Sequence, residues 1–247
     1  EEISQSLMTL VRRMEIPDAV QDEILDRFDH LGANHTGPPL RVAVRSSALH
    51  EDRDHSFAGQ YHSVLGVGRS GLLAAYLEVV ASKYTPEALL YRISAGLSDE
   101  EAAMAVLVLT MVDAAASGVV YTRIPAPDGT GERLLVQSVS GLGLPLVGGE
   151  TSPDMYLFVP DCDTPEQAVA GRQQQRLVLV DGEVRTEALD AAVARPLSLS
   201  GAEAVRLAAA ARELEAFFGA PQDIEWAVDR ERELYILQSR PLVSGME

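Results

Sequence analysis

Near its C-terminal end the chain carries two alternating runs separated by Arg230 to Glu233, a pattern that few arrangements other than a β-hairpin can bury correctly. Asp223, Glu225 and Ala227 alternate with Ile224, Trp226 and Val228, while Leu234, Ile236, Gln238 and Arg240 alternate with Tyr235, Leu237 and Ser239. A period of two is the strand period. With Arg230 to Glu233 as the loop, antiparallel pairing sets Glu225 opposite Gln238 and Asp223 opposite Arg240 on one face. Trp226 then turns to the other, apolar face.

An acid, an amide and an arginine converging on one face have a chemical use. Carboxylate and amide oxygens are hard ligands suited to Mg²⁺, which completes its shell with waters and phosphates, and a guanidinium holds a phosphate bidentately. An exposed hairpin with cross-strand charge pairs, each worth under ~1 kcal/mol, fits the same alternation.

Composition narrows the classes of partner. The 247 residues are 47% hydrophobic and hold no apolar run long enough to span a bilayer, so no membrane partner is expected. A formal net charge of −17 argues against a nucleic-acid partner, because a polyphosphate backbone needs a cationic footprint. A small phosphate ligand needs only a few local arginines. The single cysteine, Cys162, excludes an internal disulfide and fits the cytoplasm. The chain starts with Glu-Glu and lacks a signal peptide, and is expected to be a piece of a longer protein.

From the N-terminus, Ile3, Leu7, Leu10, Val11 and Met14 recur at helical spacing, and Val20, Leu25, Phe28 and Leu31 repeat the pattern. A turn-rich connector, Asn34 to Pro39, follows. Arg41 to Arg45 reads as a short strand delivering Arg45 into a polar loop that contains Ser46 to Ala48 and ends Ser56-Phe57-Ala58-Gly59-Gln60. Gly71 to Lys83 and Pro86 to Ser94 read as helices, Met104 to Val112 as a buried strand, and Gly118 to Arg123 as another, with Asp113 and three alanines in the turn between them. Leu134 to Val139, a glycine loop over Ser140 to Gly149, and Met155 to Val159 continue the strand pattern. Asp181-Gly182 marks a type I′ hairpin turn. Ser200 and Glu203 form a capping box for a helix with the stripe Leu207, Ala211, Leu214 and Phe218, closed by Gly219 and Pro221.

Three blocks carry a resemblance. Val44-Arg-Ser-Ser-Ala to Ser56-Phe-Ala-Gly-Gln60, the Ser140 to Asp154 segment, and Pro221-Gln-Asp-Ile-Glu-Trp-Ala with Ile236-Leu-Gln-Ser-Arg-Pro-Leu242 together resemble the nucleotide-binding domain of the phosphoenolpyruvate synthase and pyruvate phosphate dikinase family. The resemblance implies an α+β, ATP-grasp-like region with mainly antiparallel sheet and flanking helices over residues 41–247, preceded by a helical segment over 1–40. It also implies ATP and Mg²⁺ as ligands. By resemblance, Glu225 and Gln238 would bind the metal, and Arg45 and Arg240 would act in catalysis by neutralising phosphate charge. Asp223 would orient the neighbouring arginine, the loop Ser56, Phe57, Ala58 and Gly59 would fold over the phosphates, and the strand ending near Met111 would pass the adenine. Members of the family send phosphate from ATP to a histidine on a separate swivelling domain and then to pyruvate or another acceptor, such as a rifamycin or a glucan. Both the swivelling domain and the acceptor-binding domain would be partners within the same longer protein.

The chain departs from the family pattern in places. Leu49 and His50 replace smaller residues, the connector Arg53 to His55 is about one residue short, Leu144 stands where relatives carry a glutamate, and Leu109 where they often carry glutamine. No glycine-lysine segment precedes Arg41, and no glycine-rich serine-histidine motif is present. None of the five histidines is therefore expected to carry phosphate, and His50, His55 and His62 lack metal-ligand spacing. The isolated chain is expected to be inactive in catalysis, and a degenerate nucleotide-sensing or scaffolding domain is the alternative.

Overall fold

The computed structural model describes residues 1–33, 35, 39–48, 63–99, 103–126, 128–160, 162–189 and 196–242. The loop residues Ser56 to Gly59 and the histidines His50, His55 and His62 lie outside them. The chain packs as two units, Glu1–Met111 with Asp181–Glu183, and Val112–Val180 with Val184–Glu247. Helices and antiparallel strands are mixed throughout, an α+β architecture.

In the first unit, helices α1 (Glu2–Arg12) and α2 (Asp18–Gly32) precede strand β1 (Val42–Ala48). Strand β2 (Ser63–Val67), helices α3 (Leu72–Ala81) and α4 (Pro86–Ser94), and strand β3 (Met104–Thr110) follow. The sheet order is β2-β1-β3, with both pairings antiparallel. Val42 and Val44 are fully buried and pack with Phe28, Leu72, Ala75 and Val79, so α2 and α3 cover one face of the sheet. Alternation sends Arg45 to the other face, opposite Leu107 on one side and Ser63 on the other. Thr85 caps α4 by accepting a hydrogen bond from the Ala88 amide at 3.3 Å, with Pro86 in the first turn.

Three readings of this region need correction. The buried stripe of α1 is Ser4 and Val11, while Ile3, Leu10 and Met14 are exposed. Ser4 tolerates burial because its hydroxyl donates to the Tyr84 carbonyl at 2.6 Å. Strand β1 extends through Ser46 and Ser47 to Ala48, because pairing with β3 continues to Ala48 and Met104. Strand β3 is an edge strand among the described residues: Met104, Val106 and Val108 pack inward, and Leu107 is exposed.

The second unit is built on a six-stranded antiparallel sheet. Its strands are β4 (Ala114–Pro125), β5 (Glu132–Ser140), β6 (Asp154–Phe158) and β7 (Gln167–Val169), with β10 (Gln222–Asp229) and β11 (Leu234–Pro241) completing it in the order β11-β10-β4-β5-β6-β7. The short helix α5 (Leu144–Val147) lies in the glycine segment, and β8 (Gln175–Val180) pairs with β9 (Glu183–Ala188). Asp181 and Gly182 both have positive φ, as a type I′ turn requires. The alanines after Asp113 belong to β4, not to a turn. Their small side chains let Ala116 pack fully buried in the core.

Helix α6 (Gly201–Phe218) covers one face of this sheet. Ser200 accepts from the Glu203 amide while the Glu203 carboxylate accepts from the Ser200 amide, and Gly219 closes the helix in the left-handed region at φ 70°. Leu207, Ala208 and Ala211 meet Ile224, Trp226, Val228, Val120 and Tyr156 in the core. Gly118 lets β4 lie close to β5, since a Cβ there would stand 2.0 Å from the Gln137 carbonyl oxygen.

Candidate functional site

The face of the six-stranded sheet turned away from α6 carries the polar residues of the hairpin. Asp223 pairs with Arg240 and Glu225 with Gln238 across the β10–β11 ladder. After Glu225 the register shifts, so that Trp226 pairs with Ile236 and not Leu237. The single register expected from the sequence thus holds at the polar end of the hairpin and breaks toward its turn. Such an irregularity strengthens local twist and re-aims neighbouring side chains, and here it adjoins the Glu225–Gln238 pair.

Asp223 and Arg240 form a tight charge pair. Arg240 donates from Nε at 3.0 Å and from Nη2 at 2.7 Å to the same oxygen, Asp223 Oδ2. Both side chains are largely buried, with 12% and 16% of their surfaces exposed. The other oxygen, Oδ1, is buried and has no hydrogen-bond partner among the described residues. Burial pushes the Asp223 carboxyl above its ordinary value, outweighing the charge and hydrogen bonds of Arg240, and the neighbouring charge of Glu225 adds to the rise. The pair remains anchored from the core side, where Ser239 Oγ donates to Gln222 Oε1 at 2.9 Å and the Gln222 backbone N–H donates to Thr122 Oγ1 at 2.8 Å.

Strand β4 lies on the inner side of β10, and its outward-facing residues continue the site. Tyr121 is directly opposite Asp223, and Val119 is opposite Glu225. The Tyr121 phenol is raised above its ordinary value by burial first, then by the Asp223 charge. Tyr121 escaped notice in the sequence because Gly118 to Arg123 reads as an apolar core run. Alternation with the buried Val120 was the available signal.

Arg45 and Met111 belong to the first unit, whereas Asp223, Glu225, Gln238 and Arg240 share the second. The Met111 amide donates to the Arg41 carbonyl at 2.9 Å just beyond β3. Ser56, Phe57, Ala58 and Gly59 lie outside the described residues. Leu144 begins α5 and is 45% exposed. Among the described residues, no group of three or more His, Cys, Asp and Glu side chains is placed to hold a metal ion. No helix is long and apolar enough to cross a membrane among them.

Comparison with known proteins decides the family. The family model for the pyruvate phosphate dikinase AMP/ATP-binding domain matches residues 1–247. The chain belongs to this family. As a dikinase-type AMP/ATP-binding domain it is similar to parts of several larger proteins. A probable phosphoenolpyruvate synthase of Archaeoglobus fulgidus is 35% identical over 211 residues, covering 84% of this chain and 28% of that protein. The rifampicin phosphotransferase of Bacillus subtilis is 31% identical over 98% of this chain and 27% of its own length. The phosphoenolpyruvate synthase of Pyrococcus furiosus is 29% identical over 100% of this chain and 31% of its own length. The dikinase-type domain thus spans less than a third of these relatives.

Proposed function

We propose that this domain binds ATP with Mg²⁺ as the nucleotide-binding part of a phosphoenolpyruvate synthase-like dikinase of ATP-grasp type. In that reading the longer protein is cytoplasmic and passes a phosphate from ATP to a histidine on a swivelling domain, then to pyruvate or another acceptor on a further domain. Residues 1–40 are a helical segment ahead of a nucleotide-binding region over 41–247. The observation that carries the reading is the juxtaposition of Asp223–Arg240 and Glu225–Gln238 on one sheet face, beside a buried carboxylate oxygen that lacks a donor among the described residues.

The donor set suits magnesium. Glu225 and Gln238 offer hard oxygens, and with so few protein ligands the ion keeps sites for water and phosphate. When bound, the ion would neutralise charge on the phosphates. Arg240, held by Asp223, would bring positive charge to a phosphate. Arg45 would supply further positive charge, the Ser56, Phe57, Ala58 and Gly59 loop would cover the phosphates, and the segment at Met111 would pass the adenine. This preorganised charge matters most as negative charge develops during transfer.

The longer protein tests the reading. ATP labelled at the β-phosphate should yield labelled phosphohistidine, and Glu225→Gln should slow its formation at least about 100-fold, equivalent to about 2.7 kcal/mol. Affinity for the nucleotide without magnesium should change far less. A wild type that forms no phosphohistidine favours a nucleotide-sensing or scaffolding domain, whereas a variant equal to wild type makes Glu225 structural.

A further inference from the structure

Two rows of directly opposed residues cross the face of the six-stranded sheet turned away from α6. One runs Gln238, Glu225, Val119, Gln137, Met155; the other runs Arg240, Asp223, Tyr121, Leu135, Leu157. Directly opposed residues of an antiparallel ladder share a face, with Cβ atoms about 4.5–5.5 Å apart. In the second row polarity ends at Tyr121, since Leu135 and Leu157 continue it as an apolar floor. Tyr121 is half-buried, and among the described residues no hydrogen bond uses its hydroxyl. Its neighbours in sequence are committed to the opposite face, where Val120 is fully buried and Thr122 accepts from the Gln222 backbone N–H.

A phenol at this junction has a defined chemistry. It is a neutral hydroxyl that can donate, on a rigid stem with few rotamers, placed beside a carboxylate already occupied by an arginine. Asp223 gives one oxygen to Arg240, and the phenol does not reach the other, because Oδ1 has no partner among the described residues. The hydroxyl therefore remains available to a ligand held by Arg240. Burial and the Asp223 charge keep the phenol protonated well above neutrality, so it is a donor throughout the physiological range.

We propose that Tyr121 is a further ligand-binding residue of this site, its hydroxyl donating a hydrogen bond to a phosphate oxygen of the nucleotide whose charge Arg240 neutralises. The inference rests on the proposed phosphate site and adds a neutral donor to it. A donor to an anionic oxygen is stronger than one between neutral groups, and its removal weakens binding to the charged ligand only.

Calorimetry on the intact protein tests this with Tyr121→Phe, which removes one oxygen and keeps the ring. Mg-ATP should bind about tenfold more weakly to the variant. Adenosine, which has no phosphate, should bind both proteins equally, and the melting temperature should be unchanged. Equal Mg-ATP affinity in variant and wild type, with wild-type binding intact, overturns the role of Tyr121 and leaves the phosphate site standing. Equal loss for ATP and adenosine also overturns it, because the ring environment and not the hydroxyl would then be responsible. A wild type with no magnesium-dependent ATP binding overturns the phosphate site itself and the Tyr121 role with it.

Discussion

The two faces of strand β10 differ sharply although their residues alternate one by one. Ile224, Trp226 and Val228 are at most 2% exposed and are sealed beneath α6. Asp223 and Glu225, which alternate with them, stand on the opposite face with Gln238, Arg240 and Tyr121. Burial of apolar surface on one side fixes the strand, which lets the other side hold charges that cost folding energy. Asp223 records that cost in its raised carboxyl, where burial outweighs a bidentate guanidinium. On the proposed function, stability and binding fall to different faces of one strand, and substitutions on the two faces should fail in different ways.

The largest effect belongs to the covered face. Trp226→Ala removes a fully buried indole from the centre of the core and should destabilise the protein by about 3–5 kcal/mol. Denaturant titration should report this as a lowered midpoint. A loss below about 1 kcal/mol would mean that the division between the faces is wrong. The Trp226 Nε1 is buried without a partner among the described residues, so part of the indole's contribution is already offset.

A smaller effect separates the electrostatics of the same two faces. On the α6 side, hydrogen bonds from Arg232 and Ser200 hold the Glu203 carboxyl at about 2, against an ordinary 4.5. A depressed carboxylate contributes stability above its unfolded value and loses it as pH falls from about 4.5 toward about 2. The Arg232 partner is partly exposed, so after screening the contribution is about 1–2 kcal/mol. Asp223 has the opposite sign: with its folded value raised above 3.8, its contribution is present below that pH and is lost as pH rises through the folded value. The stability difference between wild type and Glu203→Gln, followed from pH 6 to pH 2, should therefore shrink toward zero on acidification, at about the pH values given. A difference that stays constant would show that the Glu203 carboxylate is not held low in the folded protein.

Local chemistry made much of this legible. The capping box at Ser200 and Glu203, the Asp181-Gly182 turn and the Glu225–Gln238 register each depend on a few adjacent residues and a fixed period. What escaped depends on tertiary context. The irregularity after Glu225 is invisible to alternation, because Ile236 and Leu237 are both apolar and either could oppose Trp226. Strand β3 has the apolar composition of a buried strand and sits at an edge among the described residues, a matter of sheet order that no single segment encodes. Tyr121 was hidden for the same reason: its role as a face residue appears only when β10 is laid beside β4. In α1 a serine replaced the expected apolar residues at the interface, because the Tyr84 carbonyl supplies its hydroxyl with a partner.

The most direct test of the central claim is calorimetric titration of the intact protein with ATP, in the presence and absence of Mg²⁺, alongside Glu225→Gln and Gln238→Ala. Mg²⁺-dependent binding in the range of about tens to hundreds of micromolar is expected for wild type. Both variants should lose the magnesium dependence while keeping the wild-type melting temperature, since both positions lie on the face away from the core. Magnesium-dependent binding that survives unchanged in both variants would contradict the assignment of this face to the nucleotide's metal and phosphates.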